Sequence, residues 1–360
     1  MKKIGILTFH RAINNGAVLQ AYALTTVFRS QGCQCNDIDY SAKKIDGSYK
    51  IKSLKQRKNL KSIILYFIQD LNILKTQDKF KAFRDNYLNI SKKNYDTCIS
   101  QANEDYDSFV VGSDQVWNTD LTGNDLNYYL KFVHNKPKYS YAASIGKKGF
   151  NEQNKEEIKN LLSHYKLITV REEAAVSTVN DLIEINPEVV PDPVFLLKKE
   201  EWENKFALEQ KEEGFILFFM LHHNDDMIKF TSDLASKNNL KIINLTNDFK
   251  PIKGFKSVRG FGPLEFLKYI STSSYVVTDS FHAASLALIL NKELYIGLKT
   301  GELKSLNVRI YGLVNKFGIK DRLISDNISY DRMKYNEINL KIDKQRNFGI
   351  SVIKKIVEDK

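Results

Sequence analysis

The sequence predicts an α/β protein with two Rossmann-like domains that face a cleft. Two β-α-β segments lie in series, one at the start of the chain and one beginning near Gly214. In each, short apolar runs of strand length alternate with segments whose apolar residues recur at helical spacing. The chain has 360 residues, which is more than one ordinary hydrophobic core requires, so two domains are expected.

The first half of the chain starts with a strand, a polar turn and a helix that opens at Gly16. Its predicted strands lie at residues 3–9, 33–40, 108–111, 139–145 and 167–170, and its predicted helices at 16–32, 154–165 and from 171 onwards. Residues 41–92 interrupt the alternation, and we interpret them as a helical insert with a basic front. Pro191-Asp192-Pro193 predicts a stiff, extended crossover, because proline restricts the residue before it.

The second half repeats the alternation. Its predicted strands lie at 215–221, 240–245, 275–278 and 294–296, and its predicted helices at 226–236, 263–270 and 283–290. We therefore predict an N-terminal domain over residues 1–190 that carries the insert at about 41–92, a C-terminal domain over 191–335, and a C-terminal helix over 336–360 that packs back on the N-terminal domain.

The charge balance favours an anionic partner. The net charge is +11 and the isoelectric point is about 9.2, which suits phosphate, nucleic acid or an anionic membrane surface. Basic residues crowd the front of the insert, so this segment is either a solvated loop or a surface that rests on anionic lipid head groups; they are Lys43, Lys44, Lys50, Lys52, Lys55, Arg57, Lys58 and Lys61. Tyr49 is the one aromatic residue interleaved there, too few for a base-stacking surface, so nucleic acid binding is the least supported interpretation.

The apolar runs, the first residues and the cysteines predict a cytoplasmic protein. No apolar run reaches the roughly 20 residues that span a bilayer, and Met1-Lys2-Lys3 does not open a signal peptide. We interpret Cys33, Cys35 and Cys98 as reduced and without metal, because one Cys-x-Cys lacks a second ligand pair.

Polar clusters follow four of the predicted strands. They are His10 to Gly16, Gly112-Ser113-Asp114-Gln115, Arg171-Glu172 and Asp279-Ser280-Phe281-His282. Ligands of open α/β sheets bind at the carboxyl ends of the strands, and helix N-termini there attract anions. A histidine at such an edge suits proton transfer near neutral pH. Each cluster also has a structural interpretation, as a turn, a helix cap, a surface ion pair or a satisfied histidine.

Other local motifs narrow the function. No Gly-x-x-x-x-Gly-Lys-Ser/Thr loop is present and no Gly-x-Gly-x-x-Gly follows the first strand, which disfavours nucleoside triphosphate hydrolysis and nicotinamide binding. His222-His223 with Asp225 and Asp226 is a candidate metal cluster. Adjacent residues at a strand end point to opposite faces, so we interpret this segment as a loop.

Six segments together resemble the polysaccharide pyruvyl transferase family. They run in family order from residue 8 to about 322, nearly the whole chain: Thr8-Phe9-His10 through Asn14-Asn15-Gly16 to Leu24, Val111-Gly112-Ser113-Asp114-Gln115-Val116-Trp117-Asn118, Tyr141-Ala142-Ala143-Ser144-Ile145-Gly146, Val170-Arg171-Glu172, Asp192-Pro193 and Thr278-Asp279-Ser280-Phe281-His282. The resemblance implies a GT-B-like glycosyltransferase architecture with an N-terminal acceptor side and a C-terminal donor side. It also implies transfer of pyruvate from phosphoenolpyruvate to a sugar of a capsular or exopolysaccharide precursor as a ketal.

The resemblance implies roles for particular residues. It makes His282 the acid/base and Arg171 an anion contact, with Asp279 as a candidate orienting group. The other predicted substrate-binding residues lie in the polar clusters or are late cations; they are Asn15, Gly16, Ser113, Asp114, Ser280, Lys304 and Arg309. No cofactor or metal is expected, and the saccharide acceptor is either free or lipid-linked.

One position departs from the family pattern. Some members carry an arginine two residues before the histidine, where it meets the donor, and this chain has Ser280. Either Arg171, Arg309 or Lys304 supplies the missing cation, or the donor differs.

Two alternatives remain open. One is a GT-B glycosyltransferase that uses a nucleotide sugar, with Glu293 and Glu302 as candidate ribose ligands. The other is a non-catalytic protein that binds sugar or nucleic acid.

Overall fold

The computed structural model describes residues 1–42, 44–45, 71–146, 149–150, 152–209, 213–325 and 327–359, without the side chains of residues 302 and 305. The basic residues predicted to form the front of the insert lie outside this part of the chain, apart from the exposed Lys44. No helix in these ranges combines the length and the hydropathy that a membrane span requires.

Two parallel five-stranded sheets form the frame of the protein. The first has the order β3-β2-β1-β4-β5 and consists of β1 (Lys3–Leu7), β2 (Gln34–Asp39), β3 (Ile90–Asn94), β4 (Ser108–Val111) and β5 (Lys138–Ser140). A parallel pair β6 (Thr169–Val170) and β7 (Glu188–Val189) follows. The central strands β1 and β4 are buried runs of apolar residues, as expected for a parallel sheet covered on both faces.

The second sheet repeats this topology. Its order is β10-β9-β8-β11-β12, and it consists of β8 (Phe215–Phe219), β9 (Lys241–Leu245), β10 (Phe255–Val258), β11 (Tyr275–Thr278) and β12 (Glu293–Ile296). In each sheet the chain builds three strands outwards on one side and then returns to the first strand to continue on the other. The strand order therefore reverses between β1 and β4 and between β8 and β11, and such switch points are where open α/β sheets bind ligands.

Ten helices of eight or more residues are described, and most of them connect the strands. They are α1 (Asn15–Ser30), α2 (Leu71–Tyr87), α3 (Lys155–Leu162), α4 (Glu173–Ile183), α5 (Lys199–Phe206), α6 (Asp225–Asn238), α7 (Pro263–Thr272), α8 (Phe281–Ile289), α9 (Val308–Phe317) and α10 (Tyr335–Glu358). Side-chain oxygens cap several of them: Asn14 accepts from Ala17 N at 3.2 Å at the start of α1, and Asn224 accepts from Met227 N at 3.0 Å at the start of α6.

The chain divides into two compact units. The first comprises Met1–Tyr49, Arg84–Leu197 and Asp343–Lys360, and the second comprises Lys50–Phe83 and Lys198–Ile342. Each has its own apolar core, with the fully buried Trp117 in the first and Phe218 in the second. The acceptor and donor roles predicted for the two halves stay predictions.

The α/β prediction is confirmed, with differences at particular elements. The predicted strand at 139–145 ends at Ser140, because Ala142 adopts a left-handed conformation with φ of +54° and breaks the extended run. Within the insert predicted to be helical, residues 71–87 are helical, but Ile90–Asn94 forms β3. The helix predicted to start at residue 283 starts at Phe281.

Candidate active site

The switch point of the second sheet gathers polar residues from three neighbouring strands. β11 pairs with β8 on one side and with β12 on the other, with Thr278 opposite both Phe219 and Ile296. The segments that follow these strand ends carry His222, Asp279 to His282, and Lys299. We call the segments 220–224, 279–282 and 297–299 the second-sheet edge.

Asp279 ties two of these segments together. Its Oδ1 accepts a hydrogen bond from Leu221 N at 2.6 Å, and its Oδ2 accepts one from His222 N at 3.0 Å. The Nδ1 atom of His222 lies 3.1 Å from the same Oδ2. Asp279, predicted from the sequence as an orienting group for His282, therefore contacts the imidazole of His222.

Ser280 and His282 form the start of α8. Ser280 is the N-cap; its Oγ accepts from Ala283 N at 3.4 Å, and its own N–H donates to Thr278 Oγ1 at 3.0 Å. His282 is the second residue of the helix and is buried. The first turn of α8 carries no acidic residue, so the positive end of its dipole is not neutralised by its own side chains.

Lys299 is a buried lysine beyond the end of β12, the strand next to β11. Only 9% of Lys299 is exposed. Burial lowers the pKa of its amine, the charge of Arg309 lowers it further, and the charge of Asp279 opposes both effects. Among the described residues no carboxylate lies within 4 Å of the amine. An anion bound here would relieve the repulsion between the two cations.

The segment that carries Lys299 is held on both sides. Asn307 Oδ1 accepts from Lys299 N and Asn307 Nδ2 donates to Lys299 O, both at 2.9 Å. Asn224 Nδ2 donates to Leu298 O at 2.8 Å. A methyl group added at Gly297 would collide with Met227, so this segment packs directly against the first turn of α6. The second-sheet edge is therefore built from segments that brace one another.

The other predicted site residues of the second unit lie outside the second-sheet edge. Arg309 is the second residue of α9 and is half-buried, and Lys304 is exposed on the preceding 3-10 helix. Glu293 begins β12, at its amino end, and accepts from Met333 N at 3.1 Å. That position is the opposite end of the strand from Lys299, and the side chain of Glu302 lies outside the described residues.

In the first unit, Arg171 joins a buried polar network. Its Nη1 donates to Asp192 Oδ2 at 2.9 Å, and its Nε lies 3.5 Å from Glu172 Oε2. Ser113 Oγ donates to the same Asp192 oxygen at 3.2 Å. Burial opposes the charge of the Arg171 guanidinium, but the carboxylates of Asp192, Glu172 and Asp114 raise its pKa. Two carboxylates already surround this guanidinium, and its role as an anion contact stays a prediction.

The other predicted residues of the first unit lie at the β1/β4 switch point. Asn15 and Gly16 are the first two residues of α1 and are buried. Asp114 follows β4 in a left-handed conformation, with φ of +77°, and its Oδ1 accepts from the next N–H at 2.8 Å. Thr8 Oγ1 donates to Ser113 O at 2.9 Å and so links the ends of β1 and β4.

Sequence reasoning missed two residues of the second-sheet edge. The sequence indicates His222 only as part of a candidate metal cluster, yet in the structure His222 pairs with Asp279 while His223 Nε2 lies 3.0 Å from Asp225 Oδ1. No motif in the sequence singles out Lys299. The signal for both was their position just beyond an apolar strand. Across the described residues, no three His, Cys, Asp or Glu side chains are grouped so that they could hold a metal ion.

The fold and the two switch points define a class of α/β proteins with a GT-B-like architecture and a polar site at strand ends. The chain belongs to the polysaccharide pyruvyl transferase family, whose family model matches residues 14–296. Membership implies a transferase that moves a pyruvyl group to a saccharide in polysaccharide biosynthesis. No curated protein matches the chain by sequence.

Solved structures share the fold at low sequence identity. A proposed UDP-N-acetylglucosamine 2-epimerase from Listeria monocytogenes is 11% identical with a TM-score of 0.55, covering 99% of this chain and 97% of that chain. MnaA of S. aureus in complex with UDP is 13% identical with a TM-score of 0.48, covering 99% and 96%. E. coli heptosyltransferase WaaC with ADP is 11% identical with a TM-score of 0.41, covering 95% and 99%. The likeness to the Listeria structure concerns the fold alone.

Proposed function

We propose that this protein transfers pyruvate from phosphoenolpyruvate to a sugar of a capsular or exopolysaccharide precursor, forming a ketal and releasing phosphate. The observation that carries the proposal is the second-sheet edge. There β11 leads into the N-terminus of α8, which carries His282, and the neighbouring strand β12 leads to the buried Lys299. Family membership supports the pyruvyl group and the saccharide. The donor, the ketal and the residue roles are the proposed part.

The donor binds through its two anionic groups. Phosphoenolpyruvate carries a phosphate and a carboxylate, which suit Lys299, Arg309 and the positive end of the α8 helix dipole. Lys299 supplies the positive charge that Ser280 cannot provide. Ser280 is the N-cap of α8, the helix whose N-terminus faces the anion in this proposal. Lys304 remains a further candidate from the sequence.

His282 transfers the proton to the donor. Ketal formation requires protonation of the methylene carbon of the enol, and a positioned imidazole contributes roughly two to four orders of magnitude to such a step. The leaving phosphate gains negative charge as its bond to carbon breaks, and preorganised cations stabilise that charge. Lys299 and Arg309 have this role in our proposal.

The acceptor sugar belongs to the first unit in this proposal. Asn15, Gly16, Ser113 and Asp114 lie at the β1/β4 switch point, where amide, hydroxyl and carboxyl groups suit sugar hydroxyls. In this proposal the protein is cytoplasmic and meets a lipid-linked acceptor at an anionic membrane. The residues predicted to touch that membrane lie mainly at 46–70, outside the described residues.

The test incubates the purified protein with phosphoenolpyruvate and a panel of free and lipid-linked saccharides. We expect a product with one added pyruvate ketal by mass spectrometry and an equal amount of released phosphate. His282→Ala should abolish transfer while circular dichroism stays unchanged, and His164→Ala, an exposed histidine of the first unit, should transfer at the normal rate. Full activity of His282→Ala would refute the assigned role. Turnover of a UDP-sugar in place of phosphoenolpyruvate would favour the nucleotide-sugar alternative.

A further inference from the structure

We propose that His222, oriented by Asp279, is a second proton-transfer residue of the reaction, which rests on the function proposed above. The two residues follow adjacent strands, β8 and β11, at the switch point of the second sheet. His282 leaves the same strand end as Asp279. Two imidazoles therefore belong to one edge of one sheet.

The contacts of Asp279 prepare His222 for proton transfer. The carboxylate is 2% exposed as a side chain and the imidazole is 35% exposed. Two backbone N–H groups hold the carboxylate in place, one of them from His222 itself. A hydrogen on Nδ1 then donates to Oδ2 at 3.1 Å. This tautomer directs Nε2 away from Asp279, and a fixed carboxylate stabilises the imidazolium that forms when Nε2 takes a proton.

The neighbouring pair shows what is particular about this arrangement. His223 and Asp225 also lie within hydrogen-bond distance, at 3.0 Å, but their side chains are 72% and 90% exposed. Water competes with a pair so exposed, and such a pair fixes neither the tautomer nor the ring. The buried carboxylate and its backbone bonds distinguish His222, and His223 serves as its matched control.

A hydrogen bond also joins the segment that carries His222 to the segment that carries Lys299. Asn224, two residues further on, donates to Leu298 O at 2.8 Å, and Leu298 precedes Lys299. The charge of Asp279 acts on Lys299 as well. The charged and titratable groups of the second-sheet edge and of the helix starts next to it are Asp279 and His282 beyond β11, Lys299 beyond β12, Arg309 in α9, and His223, Asp225 and Asp226 at the start of α6.

The proposed reaction uses His282 as the first proton donor and His222 as the first proton acceptor. His282 gives its proton to the methylene carbon while the first sugar hydroxyl bonds to the adjacent carbon and passes its proton to His222. The carbon–oxygen bond to phosphate then breaks, phosphate keeps the electron pair, and His222 returns the proton to it. The second hydroxyl bonds to the same carbon and its proton restores His282. One hydroxyl proton replaces the one His282 gave to the methyl group, the other leaves with phosphate, and both histidines regain their starting states.

The test uses His222→Asn in the full chain, because the asparagine amide can replace Nδ1 as the donor to Asp279 without supplying Nε2. We expect the turnover number to fall about 10²- to 10⁴-fold, with little change in the melting temperature or in phosphoenolpyruvate binding by calorimetry. His223→Asn should keep normal turnover. Added imidazole should partly restore turnover of His222→Gly, since the site is one-third open to solvent.

The outcomes separate the inference from the proposed function. Wild-type turnover with unchanged turnover of His222→Asn overturns the role of His222 and leaves the proposed function intact. A loss of turnover that tracks a loss of phosphoenolpyruvate binding, without rescue by imidazole, assigns His222 a structural role and also overturns the inference. A wild-type protein that binds but never transfers pyruvate refutes both proposals.

Discussion

Replacing Asp37 by asparagine should raise the stability of the first unit relative to the wild type as the pH rises from 5 to 8. Asp37 is fully buried in β2, between β1 and β3, and its Oδ2 accepts from Thr25 Oγ1 at 3.1 Å. Its Oδ1 has no hydrogen-bond partner among the described residues. Burial raises the pKa of this carboxyl from 3.8 to about 7, although the charge of His10 and the bond from Thr25 oppose the shift.

The sign of the effect follows from proton binding. The folded state keeps this proton up to about pH 7, whereas an unfolded chain loses it near its ordinary pKa of 3.8. Between these values the folded state binds more protons, so its stability falls as the pH rises. The full loss is about 4 kcal/mol, and the part between pH 5 and pH 8 is about 2.5 kcal/mol. Asparagine does not titrate, so its stability relative to wild type should rise by that amount.

The assay is urea unfolding at pH 5 and pH 8, followed by fluorescence. The chain has two tryptophans; Trp117 belongs to the first unit and Trp202 to the second. A Trp202→Phe background therefore reports on the first unit. Any fixed cost of the new amide is the same at both pH values and cancels. An identical difference in stability at pH 5 and pH 8 would refute a protonated, buried Asp37.

Asp39, two residues away, provides a control of opposite sign. It is partly buried, which opposes ionisation, but hydrogen bonds from His10 and Arg11 hold the pKa of Asp39 well below its usual range. Arg11 Nη2 donates to its Oδ1 at 2.6 Å. This stabilisation is present above pH 3.8 and is lost as the pH falls towards the lower folded value. Asp39→Asn should therefore be less stable than wild type at both pH 5 and pH 8, by a similar amount.

Two further predictions concern the cations of the two units. Lys299→Met should weaken phosphoenolpyruvate binding at least about tenfold, the loss of one charge-assisted hydrogen bond of roughly 1.5–3 kcal/mol, while Lys320→Met, at an exposed position of the 3-10 helix Lys320–Arg322, should bind normally; calorimetry measures both, and equal affinities would remove Lys299 from the donor site. Arg171→Met should destabilise the first unit by about 3–5 kcal/mol, because it removes the guanidinium that pairs with the buried carboxylate of Asp192; urea unfolding measures this, and a stable variant that loses substrate affinity instead would support Arg171 as an anion contact.

The central strands of the two sheets were predictable because their sequences are continuous apolar or β-branched runs. The strands at 108–111 and 275–278 match β4 and β11, since both are buried on two faces and read as continuous apolar or β-branched runs. The missed strands β3 and β10 are edge strands of the two sheets. β3 has three exposed residues among its five and contains two lysines, so no apolar run marks it.

The sequence by itself determined the α/β class, the family and the positions at which polar residues follow strands. It placed Asp279, Ser280 and His282 at a helix start, because capping residues and apolar periodicity are local signals. Only the tertiary structure decided the partners. Asp279 meets His222 across 57 positions of sequence, because β8 and β11 lie side by side, and Arg171 meets Asp192 for a similar reason. Such pairings depend on strand order, which local patterns do not encode, so the oriented histidine and the buried lysine became visible only in the folded chain.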